Sequence, residues 1–183
     1  MSQLTIYSDS NTTALETLTD GAAIAARLEQ EGVLFERWAT PHALTADADQ
    51  DAILSAYADS VQRLKDLYSF QSADVISLKP DHPDKDALRA KFLDEHTHSE
   101  YEVRFFVRGK GLFYIHKDAK VLAVLCEQGD LISVPANTTH WFDMGPAPDF
   151  TCIRLFTNPE GWVANFTGNP IAANYPRFDA VAG

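Results

Sequence analysis

The chain has 183 residues, enough for one domain with a substantial core, and its 45% apolar content is ordinary for a globular protein. Its formal net charge of -11 argues against nucleic acid and anionic membrane surfaces as partners, because both are polyanions. With no apolar run of membrane-spanning length and no signal-peptide pattern, we expect a cytoplasmic protein whose Cys126 and Cys152 are reduced and buried.

In the first half of the chain, strand patterns alternate with helical ones. The sequence predicts strands at residues 4–7, 33–38 and 73–78, and helices at 21–31, from the acidic run 47–51 to residue 68, and at 84–93. Asp20 can cap the first helix and Gly32 can end it. The second helix carries one apolar stripe, which predicts core packing by Ile53, Leu54, Tyr57, Val61, Leu64 and Tyr68.

From residue 96 onward, strands and tight turns replace the helices. The predicted strands are 98–108, 111–116, 120–126, 131–134, 138–144 and 149–157. Several of them are apolar on both faces, which fits a barrel wall with a filled interior and helices outside. We therefore predict one α+β, mainly β domain, with a barrel core at about 73–157, N-terminal helices within about 15–70 and a C-terminal extension at 158–183.

The stretch that begins at His96 concentrates the residues suited to chemistry. If it forms one strand, the side chains of His96, His98, Glu102 and Arg104 point to the same face. A third imidazole, His140, follows a later strand and a proline turn. Three imidazoles and a carboxylate are costly to bury together without a cation, so we predict that they bind one divalent transition metal ion. This donor set suits Fe, Ni, Mn or Zn, and the residues alone do not choose among them.

Other residues are candidates for the cavity around this ion. Arg104 shares the predicted ligand face, where a fixed cation would stabilise an anionic, deprotonated substrate. Arg154 is a second such candidate. If its side chain points inward, burying it is costly unless it is paired. The aromatic residues that could line the cavity, or simply pack in the core, are Phe92, Phe142 and Trp162. The residues that could orient the ligand imidazoles, or else lie in solvent, are Glu95, Glu100 and Tyr101.

Two blocks of this sequence resemble the cupin signature. The first block, HxH followed by Glu and Gly at fixed spacing, is matched by His96, His98, Glu102 and Gly109. The second, Gly followed by PxG and His, is matched by Gly129, Pro135 and His140. Departures from the pattern are Ala90, Asn137 and Met144, and Asn137 stands at the Gly of PxG. The resemblance implies a cupin (jelly-roll-like) β-barrel.

The resemblance extends further, to the bacterial acireductone dioxygenases. It is carried by residues 95–104, 109–114, 135–142, 156–162 and 165–168. It implies one Fe(II) or Ni(II) ion per chain on His96, His98, Glu102 and His140, and it assigns formation of the substrate dianion to Arg104.

That family implies the cleavage of acireductone, 1,2-dihydroxy-5-(methylsulfanyl)pent-1-en-3-one, by O2 in methionine salvage. The implied products of the Fe(II) form are 4-methylsulfanyl-2-oxobutanoate and formate. Those of the Ni(II) form are 3-methylsulfanylpropanoate, formate and carbon monoxide.

Two other classes of function stay open at this point. Another cupin enzyme, such as a sugar isomerase or a flavonol dioxygenase, would share only the metal frame, and a non-catalytic cupin would bind a small molecule. The complete ligand set weighs against the non-catalytic class, while Arg104 and residues 158–162 favour acireductone over sugars. We expect a monomer, because the surface is strongly acidic and no obvious apolar patch is visible in the sequence.

Overall fold

The computed structural model describes residues 1–40, 42, 44–45, 47–158 and 163–182. The strands in them are β1 (Gln3–Ser8), β2 (Asn11–Leu18), β3 (Leu34–Arg37), β4 (Ser72–Leu78), β5 (His96–Thr97), β6 (Glu102–Arg108), β7 (Lys110–Lys117), β8 (Lys120–Glu127), β9 (Asp130–Val134), β10 (Thr139–Asp143), β11 (Phe150–Phe156) and β12 (Asn165–Phe166). The helices are α1 (Gly21–Glu29), α2 (Gln50–Ala56), α3 (Ala58–Tyr68), α4 (Lys85–Leu93), a 3-10 helix (Pro170–Asn174) and α5 (Phe178–Val181). Among these described residues, none of the helices combines the length and apolar character that crossing a membrane requires.

The strands form two antiparallel sheets. Seven strands follow the order β12-β5-β10-β7-β8-β1-β2, and five follow the order β3-β9-β6-β11-β4. Phe106 and Cys152 of the five-stranded sheet pack with Phe113 and Phe142 of the seven-stranded sheet in one buried cluster. The two sheets therefore share a core, and the predicted α+β, mainly β class in a single domain is confirmed.

Strands buried on both faces have a second apolar layer outside this core. Phe105, which points away from Phe106, packs with Tyr57, which lies between α2 and α3, and with Leu64 of α3. On the outer face of the seven-stranded sheet, Trp141 packs against the C-terminal segment that contains Tyr175. This double coverage explains why the strands after residue 100 read as apolar runs rather than as alternating patterns.

Three local predictions about these elements were wrong. The strand β2 follows β1 where a polar turn was expected, and the single helix predicted from residue 47 to 68 is divided at Tyr57, whose φ of -108° and ψ of 19° are not helical. The predicted strand 98–108 begins only at Glu102, because residues 98–101 form a bend.

The turn before β10 connects the fold to the candidate site. Asn137, which stands where the cupin pattern has Gly, adopts a φ of 59° in the left-handed region, where Asn is among the better tolerated non-glycine residues. Its backbone N–H donates to the carbonyl oxygen of His98 at 2.7 Å. The turn thereby holds the bend that carries one of the candidate metal ligands.

Candidate metal centre

Three imidazoles and one carboxylate meet between the two sheets. His96 in β5 is paired with His140 in β10. Glu102 begins β6 in the other sheet, and His98 lies in the bend between β5 and β6. One candidate ligand atom from each residue lies within 4.8 Å of the others, and all four residues are buried. They converge because the chain passes here from one sheet to the other, so the explanation by a single strand with alternating faces was wrong.

Each imidazole is oriented by a backbone carbonyl group. The Nδ1 atoms of His96, His98 and His140 lie 2.6, 3.1 and 2.8 Å from the carbonyl oxygens of Asp94, Val163 and Thr138, respectively. A carbonyl oxygen only accepts hydrogen bonds, so Nδ1 is the protonated nitrogen in each neutral ring. The lone pair therefore resides on Nε2, the atom that is left to bind a metal.

The remaining donor atoms face one another. The Nε2 atoms of His98 and His140 lie 3.1 and 2.9 Å from the same carboxylate oxygen, Oε2 of Glu102. Nitrogen lone pairs directed at an anionic oxygen repel it unless a cation or a proton lies between them. Imidazole nitrogens combined with a carboxylate oxygen form a donor set that first-row transition ions accept. The residues present thus fit a divalent metal ion.

The electrostatics of the cluster match that fit. Burial acts to raise the pKa of Glu102, but the Arg104 guanidinium and the contacts of His140 and His98 hold it well below its usual range. Burial, reinforced by His140, lowers the pKa of His96 to about 4. Burial also acts to lower the pKa of His98, but its contact with Glu102 outweighs this and raises it. At neutral pH the site therefore presents an ionised Glu102 and a neutral His96, the forms that ligate metals.

Arg104 lies beside Glu102, as strand alternation within β6 predicts. Its Nε donates to Oε1 of Glu102 at 2.7 Å, and only 5% of the residue is exposed. The guanidinium carbon is 4.9 Å from the ring centroid of Phe142 and 5.7 Å from that of Phe113. These contacts fix a positive charge next to the candidate metal position.

A cavity of about 190 Å³ opens beside the cluster. It is lined by Ile76, Lys91, Phe92, His96, His98, Glu102, Arg104, Phe142, Arg154 and Ala164. Of the residues predicted to form its walls, Phe92, Phe142 and Arg154 are there, and Trp162 lies outside the described residues. Arg154 is paired through Nε and Nη2 with the two carboxylate oxygens of Asp74, at 2.8 and 2.6 Å, which offsets the cost of placing it there.

The acidic and aromatic residues suggested as partners of the imidazoles have other contacts. Glu95 is buried, and its carboxylate binds the Thr167 hydroxyl and Nδ1 of His116, each at 2.7 Å. Glu100 accepts a hydrogen bond from the Thr157 hydroxyl, and Tyr101 is 45% exposed in the bend. The imidazoles are oriented by main-chain carbonyl groups instead, which any residue type can supply, so side-chain identity gave no signal for them.

Comparison with known proteins gives consistent matches along the chain. The model of the ARD/ARD' family matches residues 3–164. An acireductone dioxygenase of Methylococcus capsulatus is 62% identical over 179 residues, which cover 98% of this chain and 96% of that protein. An acireductone dioxygenase of Aquifex aeolicus is 52% identical over 181 residues, covering 99% and 98%. The solved structure of acireductone dioxygenase from Bacillus anthracis, with a cadmium ion in its active centre, matches with a TM-score of 0.79 and 34% identity, covering 91% of this chain and 98% of that one.

Proposed function

The chain belongs to the acireductone dioxygenase (ARD/ARD') family, and we propose that His96, His98, Glu102 and His140 hold its metal ion. The predicted activity, cleavage of acireductone by O2 as in methionine salvage, is confirmed by full-length relatives at 52 to 62% identity. The relatives named above lend no support to the other cupin functions left open by the sequence. The observation that supports the site is the convergence of four donor atoms within 4.8 Å in a buried position.

The ion is one Fe(II) or Ni(II) per chain. Nε2 of the three histidines and Oε2 of Glu102 would hold it, since Nδ1 of each ring and Oε1 of Glu102 have other partners. A bound ion of this kind supplies Lewis-acid polarisation of substrate oxygens and electronic access to O2. Imidazole ligands suit both iron and nickel, and metal availability rather than raw affinity selects among such ions, so the ion present follows supply.

Arg104 stabilises the negative charge of the deprotonated enediol. Its guanidinium lies on the cavity wall, is fixed by Glu102 and Phe142, and remains charged at any physiological pH. A fixed cation in a buried site lowers the free energy of an anion more than it would in water. Arg104 therefore favours loss of the second enediol proton and orients the resulting dianion.

The cavity walls suit the apolar end of the substrate. Phe92 and Phe142 both line the cavity, with ring centroids 6.3 Å apart. Aromatic rings make favourable contacts with thioether sulfur, and they also exclude water from the reacting end. The enediol end would then lie toward Arg104 and the methylsulfanyl end in the cavity, against the two rings.

The larger-scale proposals follow from the same family. The two sheets would close as a cupin (jelly-roll-like) barrel with its core at about 73–157, between N-terminal helices within about 15–70 and the C-terminal extension 158–183. We propose a monomer that acts in the cytoplasm on acireductone and O2, without nucleic acid or membrane partners. The charge of -11 and the buried thiols of Cys126 and Cys152 support these assignments.

The direct test is to mix the metal-loaded protein with acireductone under anaerobic conditions and then admit oxygen. Substrate loss and oxygen consumption should begin together only after oxygen enters, at equal molar rates. His98→Ala should abolish both, whereas His42→Ala, which removes an exposed histidine outside the cluster, should not. Oxygen-independent substrate loss, or full activity of His98→Ala, would contradict the proposal.

A further inference from the structure

The helix α4 forms one wall of the cavity although it is weakly embedded in the fold. None of its residues is buried, and its apolar Leu88 and Phe92 are only partly buried against the core. Yet α4 supplies both Lys91 and Phe92 to the cavity wall. Apolar burial alone therefore holds this wall weakly, and a polar attachment would fix its position.

A largely buried ion pair supplies such an attachment. Nε and Nη2 of Arg89 in α4 donate to Oδ1 and Oδ2 of Asp143 in β10, at 2.8 and 3.0 Å. Asp143 has no solvent exposure, and its carboxylate also accepts from the backbone N–H groups of Gly145 and Phe178, each at 2.9 Å. Asp179 lies 3.6 Å from Nη2 of Arg89. The pair thus joins α4, β10 and the start of α5 at one point.

The geometry of β10 connects this pair to the cavity. One edge of β10 pairs with β7 along its length. At the other edge, among the described residues, β5 pairs with β10 only at His140, and α4 also packs against β10. Adjacent strand residues point to opposite faces, so Phe142 faces the cavity and Asp143 faces away from it. Arg89 and Phe92, three residues apart, share a side of α4 and reach Asp143 and Phe142 respectively.

We propose that Arg89 and Asp143 are positioning residues that fix the distance between Phe92 and Phe142 and thereby set recognition of the apolar thioether tail of the substrate. A bidentate guanidinium–carboxylate pair defines both distance and rotation, whereas apolar contacts alone would let the helix slide. This inference rests on the proposed function, because it assigns the tail to the part of the cavity lined by the two rings. Neither residue contacts the reacting end, so the chemical step is left to the cluster and Arg104.

The test compares two substrates in the metal-loaded full chain: acireductone, and the same enediol ketone without its thioether tail. Arg89→Met should raise KM for the thioether substrate about tenfold, the scale expected when an apolar pocket loses its fit, with kcat changed less than about twofold. KM for the tail-less compound should change less than about twofold. Arg89→Lys should fall between Arg89→Met and wild type, since Lys keeps the charge but not the fork.

The matched control is Arg63→Met, which removes a different Arg–carboxylate pair, that of α3 with Glu36 of β3, away from the cavity. It should leave both KM values unchanged. An equal rise of KM for both substrates, or no change for either, would overturn the inference. If Arg89→Met does not fold, Arg89→Lys decides the matter by the same tail-specific criterion. If the wild-type chain turns over neither substrate, both the proposed function and this inference are overturned. If the wild-type chain turns over normally but the variants show no tail-specific change in KM, only this inference is overturned.

Discussion

The two carboxylate oxygens of Glu102 have different neighbours. Oε1 accepts the hydrogen bond of Arg104, while Oε2 lies near Nε2 of both His98 and His140. The same division holds for the imidazoles, whose Nδ1 atoms are bonded to backbone carbonyl groups. One donor atom per residue is left for the ion, so each ligand should be needed for full affinity.

We predict that His98→Ala loses most of its metal. Loss of a residue that hydrogen-bonds a metal ligand already lowers metal affinity about 10- to 100-fold. Loss of the ligand itself should therefore lower metal affinity by more than about 100-fold. Elemental analysis after dialysis is the measurement, with His42→Ala as the control. Full occupancy in His98→Ala would remove this residue from the ligand set.

We predict that Arg104→Ala still takes up one ion when metal is in excess but has a kcat/KM reduced about 100-fold or more, the scale of losing one charged stabiliser of an anion. Arg104→Lys should recover part of the activity, because it restores the charge without the planar geometry. The measurements are metal content and steady-state kinetics on the same samples. Wild-type turnover in the metal-replete Ala variant would show that Arg104 does not act on the substrate anion.

The sequence allowed this cluster to be predicted because its residue types are rarely buried without a partner. Histidines and a glutamate at cupin spacing, together with Arg104, indicated the site. Lys91 and Ile76 were not predicted, because they reach the cavity from α4 and β4 and carry no motif of their own. Their contribution depends on how separate elements pack together, which spacing along the chain does not reveal.

At the scale of elements, most strands rich in buried apolar residues were predicted, whereas the exposed strand β2 and the bend at residues 98–101 were not. The helix α1 is capped by Asp20, whose side chain accepts from the N–H of Ala23, as its sequence indicated. The strand β2 is exposed along almost its whole length, so it has no alternation to detect and is defined by its pairing with β1. The apolar residues that follow favour a strand at residues 98–101, but this segment forms a bend, in which the carbonyl oxygen of His98 accepts from the N–H of Asn137.

The Arg89–Asp143 pair between α4 and β10 should make the stability of the fold depend on pH in a defined direction. Burial acts to raise the pKa of Asp143, but Arg89 and the N–H groups of Phe178 and Gly145 lower it below its ordinary value. A carboxyl whose pKa is lower in the folded state stabilises the fold above its unfolded pKa, near 4, and this contribution is lost as pH falls through the folded pKa.

We therefore predict that Arg89→Met lowers the free energy of unfolding at neutral pH by on the order of 3 kcal/mol, as expected for breaking a largely buried pair. The difference from wild type should shrink below about pH 4. Denaturant unfolding of metal-stripped samples of both proteins at several pH values is the measurement, so that metal release does not contribute. A difference that stays constant down to acid pH would contradict this account of the pair.

On the scale of the whole molecule, an acidic protein has to admit an anionic substrate. The chain carries a net charge of -11, yet Lys91, Arg104 and Arg154 all line the cavity. Arg154 is paired with Asp74, and Arg104 with Glu102, whereas Lys91 is exposed at the end of α4. A local positive potential at the cavity would offset the repulsion from the rest of the surface.

We predict that Lys91→Gln lowers kcat/KM about threefold at low ionic strength, by slowing capture of the anion, and leaves kcat unchanged. The effect should fade as salt screens the charge. Lys65→Gln on α3, outside the cavity, makes the same change in net charge and serves as the control. Equal effects of the two substitutions would mean that only the total charge of the molecule matters.

The most direct measurement is to strip the metal from the protein, reload it separately with Fe(II) and with Ni(II), and identify the products. The stripped protein should be inactive, and each reloaded form should consume acireductone and oxygen with about one ion per chain. The Fe(II) form should yield mainly 4-methylsulfanyl-2-oxobutanoate and formate, and only the Ni(II) form should release carbon monoxide. Turnover by the stripped protein would contradict a metal-dependent reaction at His96, His98, Glu102 and His140, and an identical product mixture from both loaded forms would show that the cavity, not the ion, sets the outcome.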